Sequence, residues 1–213
     1  MQVGILGSGM VGQTFGAKLV ALGHEVMVGT RNPAKLSEWL GTVPQAKVGS
    51  FAETAAFGEI IFNCTSGTGS LEALELAGAQ NLNGKILIDI ANPLDFSQGM
   101  PPSLFTPSTD SLGERTQKAF PAVKVVKTLN TMNCYLMVDP GQLADGDHEV
   151  FVSGNDAEAK AQVTEILKTW FGWKRVIDLG DISTARGTEM LLPIWLRLWG
   201  ALGTPMFNFK IVR

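Results

Sequence analysis

Gly7-Ser8-Gly9-Met10-Val11-Gly12 is the stretch that decides the fold. It follows Gln2-Val3-Gly4-Ile5-Leu6, a short apolar run of strand type, and it opens Met10 to Leu22, a segment of helical periodicity. A G-x-G-x-x-G string set between a strand and a helix is a dinucleotide-binding fingerprint. Gly7 permits the tight turn, Gly9 leaves room for a pyrophosphate against the backbone, and Gly12 lets helix and strand pack closely. The helix start, including Ser8, Met10 and Val11, then turns free N–H groups and the positive dipole end toward the phosphates.

The next strand, His24-Glu25-Val26-Met27-Val28-Gly29, runs into Thr30-Arg31-Asn32-Pro33. An NAD-binding unit places Asp or Glu here to hold the ribose 2′-hydroxyl, and this chain has neither. Thr30, Arg31 and Asn32 offer a hydroxyl, a guanidinium and an amide, which suit a 2′-phosphate; Arg31 can bind it with a charge-assisted fork. The expected nucleotide is NADP.

Outward from the fingerprint, strand and helix patterns alternate. A helix over 33–40 with Pro33 in its first turn leads to a short strand, Ala46-Lys47-Val48. Ser50 and Glu53 form a capping box for a helix over 51–56. Buried strands follow at 59–64 and 85–90, with a helix over 71–79 between them. Residues 95–108, with three prolines, read as a long loop. Asp110 starts a helix, a strand spans 123–129, another spans 149–154, Asp156 caps a helix to Phe171, and 175–178 is a further strand. Residues 183–202 form a very apolar helix that Pro193 kinks or splits. This alternation predicts an α/β fold: a Rossmann-type, doubly wound, mostly parallel sheet with a small C-terminal α/β cap. The expected units are 1–133, binding NADP, and 134–213, contributing to the substrate cleft.

The 213 residues, 45% hydrophobic and 17% charged, describe a globular chain. A net charge of −3 gives no reason to expect nucleic acid, and no apolar run reaches membrane-spanning length. Cys64 and Cys134 follow no metal-ligand spacing and read as reduced thiols of a cytoplasmic protein; no metal is expected.

In open parallel sheets ligands sit beyond the strand C-termini. Thr65, Ser66, Asn92, Asn130, Thr131 and Asn133 occupy such ends, and all but Asn133 are taken as cofactor-binding candidates. No obvious acid or base accompanies them. Neither His24 nor His148 lies at a predicted strand C-terminus, Tyr135 reads as a packing aromatic, and Asp139, Asp145 and Asp147 read as a solvated loop. Hydride transfer between two redox heterocycles fits this set, because positioning and water exclusion then supply much of the acceleration. Trp195, Trp199, Met206 and Phe207 are candidates to wall a dry cleft; a plain core or a dimer face is the other reading of that stripe.

With these residues in view, the chain resembles the NADPH-dependent deazaflavin (coenzyme F420) oxidoreductases and the related domain of the six-transmembrane metalloreductases. The matching segments are 7–12, Leu22-Gly23-His24-Glu25-Val26, Gly29-Thr30-Arg31-Asn32-Pro33, Val125-Val126-Lys127-Thr128-Leu129-Asn130-Thr131, 151–159 and Asp178-Leu179-Gly180. The resemblance implies an NADP domain, a cleft beside a small C-terminal unit, a homodimer, and a small-molecule redox acceptor: coenzyme F420 or a flavin, FMN or FAD. Two departures bear on the acceptor: Asn130 stands where the archaeal deazaflavin enzymes carry His, and the 65–70 loop differs. Two alternatives stand beside this reading: an NADPH-dependent imine or carbonyl reductase related to pyrroline-carboxylate reductase, and a non-catalytic NADP(H)-sensing module.

Overall fold

The structure is a computed structural model describing residues 1–213. Its centre is one eight-stranded sheet. The strands are β1 (Gln2–Leu6), β2 (Glu25–Gly29), β3 (Lys47–Gly49), β4 (Ile60–Asn63), β5 (Ile86–Asp89), β8 (Lys124–Thr128), β9 (Glu149–Ser153) and β10 (Arg175–Gly180). Their order is β10-β9-β8-β5-β4-β1-β2-β3. All pairings are parallel except β8 with β9. The strand order reverses between β1 and β4, and a doubly wound sheet opens its ligand crevice at that point.

The period-2 alternation of each strand feeds two separate cores. Val3, Ile5, Phe62, Ile88 and Val126 face one side, where α1 (Met10–Ala21), α7 (Cys134–Val138) and α8 (Ala157–Phe171) cover them. Leu6, Ile61, Leu87 and Val125 face the other side. There they meet α3 (Phe51–Phe57), α4 (Ser70–Ala77), α5 (Ala79–Leu82), α6 (Leu112–Ala119) and α9 (Ala185–Met190). A short α2 (Ser37–Thr42) follows a 3-10 turn at Pro33–Leu36, and α10 (Leu192–Leu202) lies near the C-terminus. Local signals place several ends: Ser50 and Glu53 form the capping box of α3, and Asp156 accepts from the Ala159 N–H to start α8.

Residues 134–213 add β9 and β10 to the same sheet, so the two expected units share one continuous ladder. Residues 95–108 are not wholly a loop. Leu94–Asp95 (β6) and Ser103–Leu104 (β7) pair as a two-stranded antiparallel ribbon, too short to show a period in sequence. The start of α6 also differs: Ser111 caps it, while Asp110 pairs with Arg115 at 2.7 Å. Pro193 splits the long C-terminal helix into α9 and α10, as proline in a first turn permits. No helix is long and apolar enough to cross a membrane.

Candidate active site

Two adjoining cavities lie at the sheet's reversal point. The first, of about 280 Å³, is lined by Gly7, Ser8, Gly9, Thr30, Arg31, Asn32, Thr65 and Ser66 among others. The second, of about 720 Å³, takes in Met10, Val11, Asn92, Asn130, Asn133 and Tyr135, and shares Cys64, Thr65 and Ser66 with the first.

The fingerprint turn has the shape its glycines require. Gly7 sits at φ +115°, and a Cβ there would come within 2.6 Å of the Cys64 carbonyl oxygen. A Cβ on Gly12 would lie 2.0 Å from the Gly7 carbonyl oxygen, so Gly12 packs behind the turn and faces neither cavity. Gly9 has open space where its side chain would be. No side chain caps α1 and no acid lies in its first turn, which leaves the orphan N–H groups and the dipole's positive end to whatever fills the cavity.

The end of β2 is tied to this turn. The Thr30 and Ser8 hydroxyls are 2.9 Å apart, and the Asn32 N–H donates to Thr30 Oγ1 at 3.1 Å. Asn32 Oδ1 accepts from the Ala34 N–H and caps the Pro33–Leu36 turn. Arg31 reaches across the cavity to Glu72, with its Nη1 at 3.6 Å from the carboxylate, and both side chains remain mostly exposed. Lys35 also lines this cavity and adds a second cation. The four-residue spacing from Arg31 to Lys35 in the turn after β2 was the available sequence signal; nothing in the sequence placed Glu72, Phe51 or Leu76 there.

The second cavity is uncharged. Of its 24 lining residues, 16 are hydrophobic, and Lys, Arg, His, Asp and Glu are all absent. Its polar rim is made of amides and hydroxyls. Asn92 Nδ2 donates to the Asn130 carbonyl (2.8 Å) and Asn130 Nδ2 returns a bond to Asn92 Oδ1 (3.0 Å). Leu129, at φ +62°, turns the chain sharply just before Asn130. Asn133 caps α7 and donates to the Pro205 carbonyl at 2.7 Å, tying the C-terminal segment to the cavity edge. Trp195 and Trp199 form part of the wall. Phe207 stacks behind Trp195 at 5.3 Å, and Met206 packs toward the core.

Two expectations change. Thr131 is buried, its hydroxyl has no partner, and it lines neither cavity. Tyr135 is half exposed at the rim of the second cavity instead of being packed. Cys64 faces both cavities. Burial first, then the Asp89 carboxylate and Cys134, push its thiol well above the usual range, so it stays protonated. The histidines lie elsewhere. The His24 ring packs at a tilt against Trp170, and His148 is buried between the Pro140 carbonyl and Asn208. Asp147 pairs with Arg175 and Lys210.

The profile of the family described as NADP oxidoreductase, coenzyme F420-dependent, matches residues 2–93. A crystal structure from Arthrobacter sp. FB24, provisionally described as an F420-dependent NADP reductase, is 59% identical, covers 100% of both chains and superposes with a TM-score of 0.96. The chain belongs to the coenzyme F420-dependent NADP oxidoreductase family. That family is one of NADP-dependent oxidoreductases. Rat metalloreductase STEAP3 is 32% identical over 200 residues, which is 91% of this chain and 38% of that protein. Human metalloreductase STEAP2 is 28% identical, over 99% of this chain and 41% of that protein. The chain thus spans about two fifths of the length of these curated relatives. A Myxococcus stipitatus imine reductase solved with NADP+ shares the fold at 14% identity, with a TM-score of 0.67 over 95% of this chain and 64% of that one.

The residues of this family member fit a dinucleotide: an uncapped helix start faces open space at Gly9, and cations instead of an acid follow β2.

Proposed function

We propose that this F420 oxidoreductase-family protein passes hydride between NADP(H) and a planar redox ring, a deazaflavin of the F420 type or a flavin such as FMN or FAD, within the second cavity. The observation that carries this reading is the cavity's uncharged lining. A carbonyl or imine needs a proton delivered as hydride arrives, whereas a ring-to-ring transfer asks mainly for alignment and exclusion of water. In this reading Gly7, Ser8, Gly9, Met10 and Val11 hold the pyrophosphate by backbone N–H groups, and Gly12 keeps the helix close enough to do so. Thr30, Arg31, Asn32 and Lys35 surround the 2′-phosphate. Thr65, Ser66, Asn92 and Asn130 orient the nicotinamide end through neutral hydrogen bonds. Bound NADPH supplies the hydride; the protein supplies geometry and a dry wall of Met132, Trp195, Leu196 and Trp199.

Residues 134–213 serve as the unit that closes the cleft. Met100 and Trp199, exposed where they line the cavity, and Ile194 and Leu202, exposed on the same helix as Trp199, suit coverage by a second copy in a homodimer. The two unpaired cysteines fit a reducing, cytoplasmic setting.

Arg31→Ala is expected to weaken NADPH binding by roughly 10- to 100-fold, the scale of charge-assisted hydrogen bonds, while NADH binding hardly changes. Parallel titrations with the two nucleotides check it; equal losses rule out the 2′-phosphate role. The acceptor is tested by following NADPH oxidation with F420, FMN, FAD and a cyclic imine side by side. Turnover of F420 or a flavin supports the proposal. Turnover of the imine alone replaces it with a reductase in which Tyr135, whose hydroxyl-bearing ring sits at the cavity rim, is the candidate proton donor.

A further inference from the structure

Behind the acceptor cavity lies a charge cluster that the sequence did not reveal. Lys127, near the end of β8, is completely buried, as are the carboxylates of Asp89 and Glu189 that flank it. Its ammonium is 3.0 Å from Asp89 and 2.9 Å from Glu189, and it also donates to the Ala91 carbonyl. Each carboxylate has further work. Glu189 accepts the Leu112 and Gly113 N–H groups at the start of α6, at 2.8 and 3.0 Å. Asp89 accepts from Asn63 Nδ2 at 2.8 Å, which orients Asn63 Oδ1 to accept from the Thr65 hydroxyl at 2.7 Å.

Lys127 lines neither cavity, yet the carbonyl it holds immediately precedes Asn92. Asn92 itself has little freedom. A Cβ on Gly67 would fall 1.9 Å from its carbonyl oxygen, and its side chain shares two hydrogen bonds with Asn130. One buried cation therefore connects the loops that follow β4, β5 and β8, all three of which furnish lining residues of the acceptor cavity.

We propose that Lys127 is a positioning residue for hydride transfer: by holding the Ala91 carbonyl between Asp89 and Glu189, it fixes Asn92 and, through Asn92, Asn130 against the nicotinamide end of the nucleotide. This rests on the reading that the second cavity receives the nicotinamide and its acceptor. The pyrophosphate and 2′-phosphate contacts belong to other loops, so Lys127 governs how the ring is seated and not whether the nucleotide binds.

The test is a double-mutant cycle on the full-length protein with Lys127→Met, Asn92→Ala and the pair combined. A charge-balanced variant, Lys127→Met with Asp89→Asn, serves if Lys127→Met alone does not fold, because Glu189 keeps its two helix-start partners. In the variants that remove Lys127, the affinity for NADPH is expected to stay within about twofold, while kcat with the acceptor falls by about tenfold or more. Adding Lys127→Met to Asn92→Ala produces little further loss, and the emission of bound NADPH changes alike in both single variants. Losses that multiply in the combined variant, or a fall in NADPH affinity that follows kcat, overturn the proposal and leave a merely structural role. The emission of the bound nicotinamide needs no acceptor. If none of the tested acceptors is turned over by the wild type, the ring-to-ring reading fails while the nucleotide fluorescence still decides the role of Lys127.

Discussion

Gly12→Ala is expected to lower the melting temperature by roughly 4–10 °C and to remove NADPH binding, although it adds a single methyl group. The new Cβ would sit 2.0 Å from the Gly7 carbonyl oxygen. That neighbour is backbone and cannot rotate away. Either α1 moves off β1 or the turn opens, and both outcomes displace the N–H groups that face the phosphates. Gly9→Ala provides the contrast. Nothing lies within 4 Å of a Cβ there, and Gly9 has an extended φ of −76° that any residue accepts. Its melting temperature should stay near wild type while NADPH affinity falls, because the methyl group occupies the space a pyrophosphate needs. Thermal melts and nucleotide titrations of the two variants separate fold from ligand. If Gly9→Ala binds NADPH as well as wild type does, the phosphate does not lie over Gly9.

The difference between these two glycines was legible in the sequence because the fingerprint is local: six consecutive residues hold both the turn and the helix start. The strands around it were equally readable, since each buries alternating or continuous apolar residues. The residues after β2 spoke through what they lack, an acid. The second cavity was legible only as a region. Asn92 and Asn130 stood out as strand-end amides, but their reciprocal bonds join positions 38 residues apart. Thr131 looked equivalent to its neighbour Asn130, yet the sharp turn at Leu129 sends one to the cavity and the other into the interior. Lys127 was harder still. Nothing in the pattern Val125-Val126-Lys127-Thr128 marks the lysine as buried and ion-paired, and its partners lie at positions 89 and 189. No periodicity encodes an ion pair assembled from β5, β8 and α9. The short ribbon of β6 and β7 escaped for another reason, since two-residue strands carry no pattern.

Lys127→Met is expected to cost about 3–5 kcal/mol of stability at neutral pH, the scale for removing one partner of a buried ion pair. Methionine fills much of the same volume, so the loss is electrostatic. Asp89 and Glu189 are left buried without their cation, and the Ala91 carbonyl loses its donor. Adding Asp89→Asn should restore part of the loss, because one uncompensated charge is removed while Asn63 keeps an acceptor; urea unfolding of the two variants measures the difference. The wild type should show the same interaction in its alkaline limb. Burial opposes the Lys127 charge, but Asp89 and Glu189 outweigh it and hold the ammonium above the ordinary lysine value of 10.5. A group whose folded pKa is raised contributes stability that is fully present below its unfolded value and fades as pH climbs through the folded one. Stability should therefore begin to fall above pH 10.5, and the fall should be shallower in Lys127→Met, where that group is missing. An identical alkaline limb in the two proteins would show that Lys127 is not ion-paired in solution. The cation would then have no hold on the Ala91 carbonyl, and the alignment of Asn92 would have to come from its bonds with Asn130 alone.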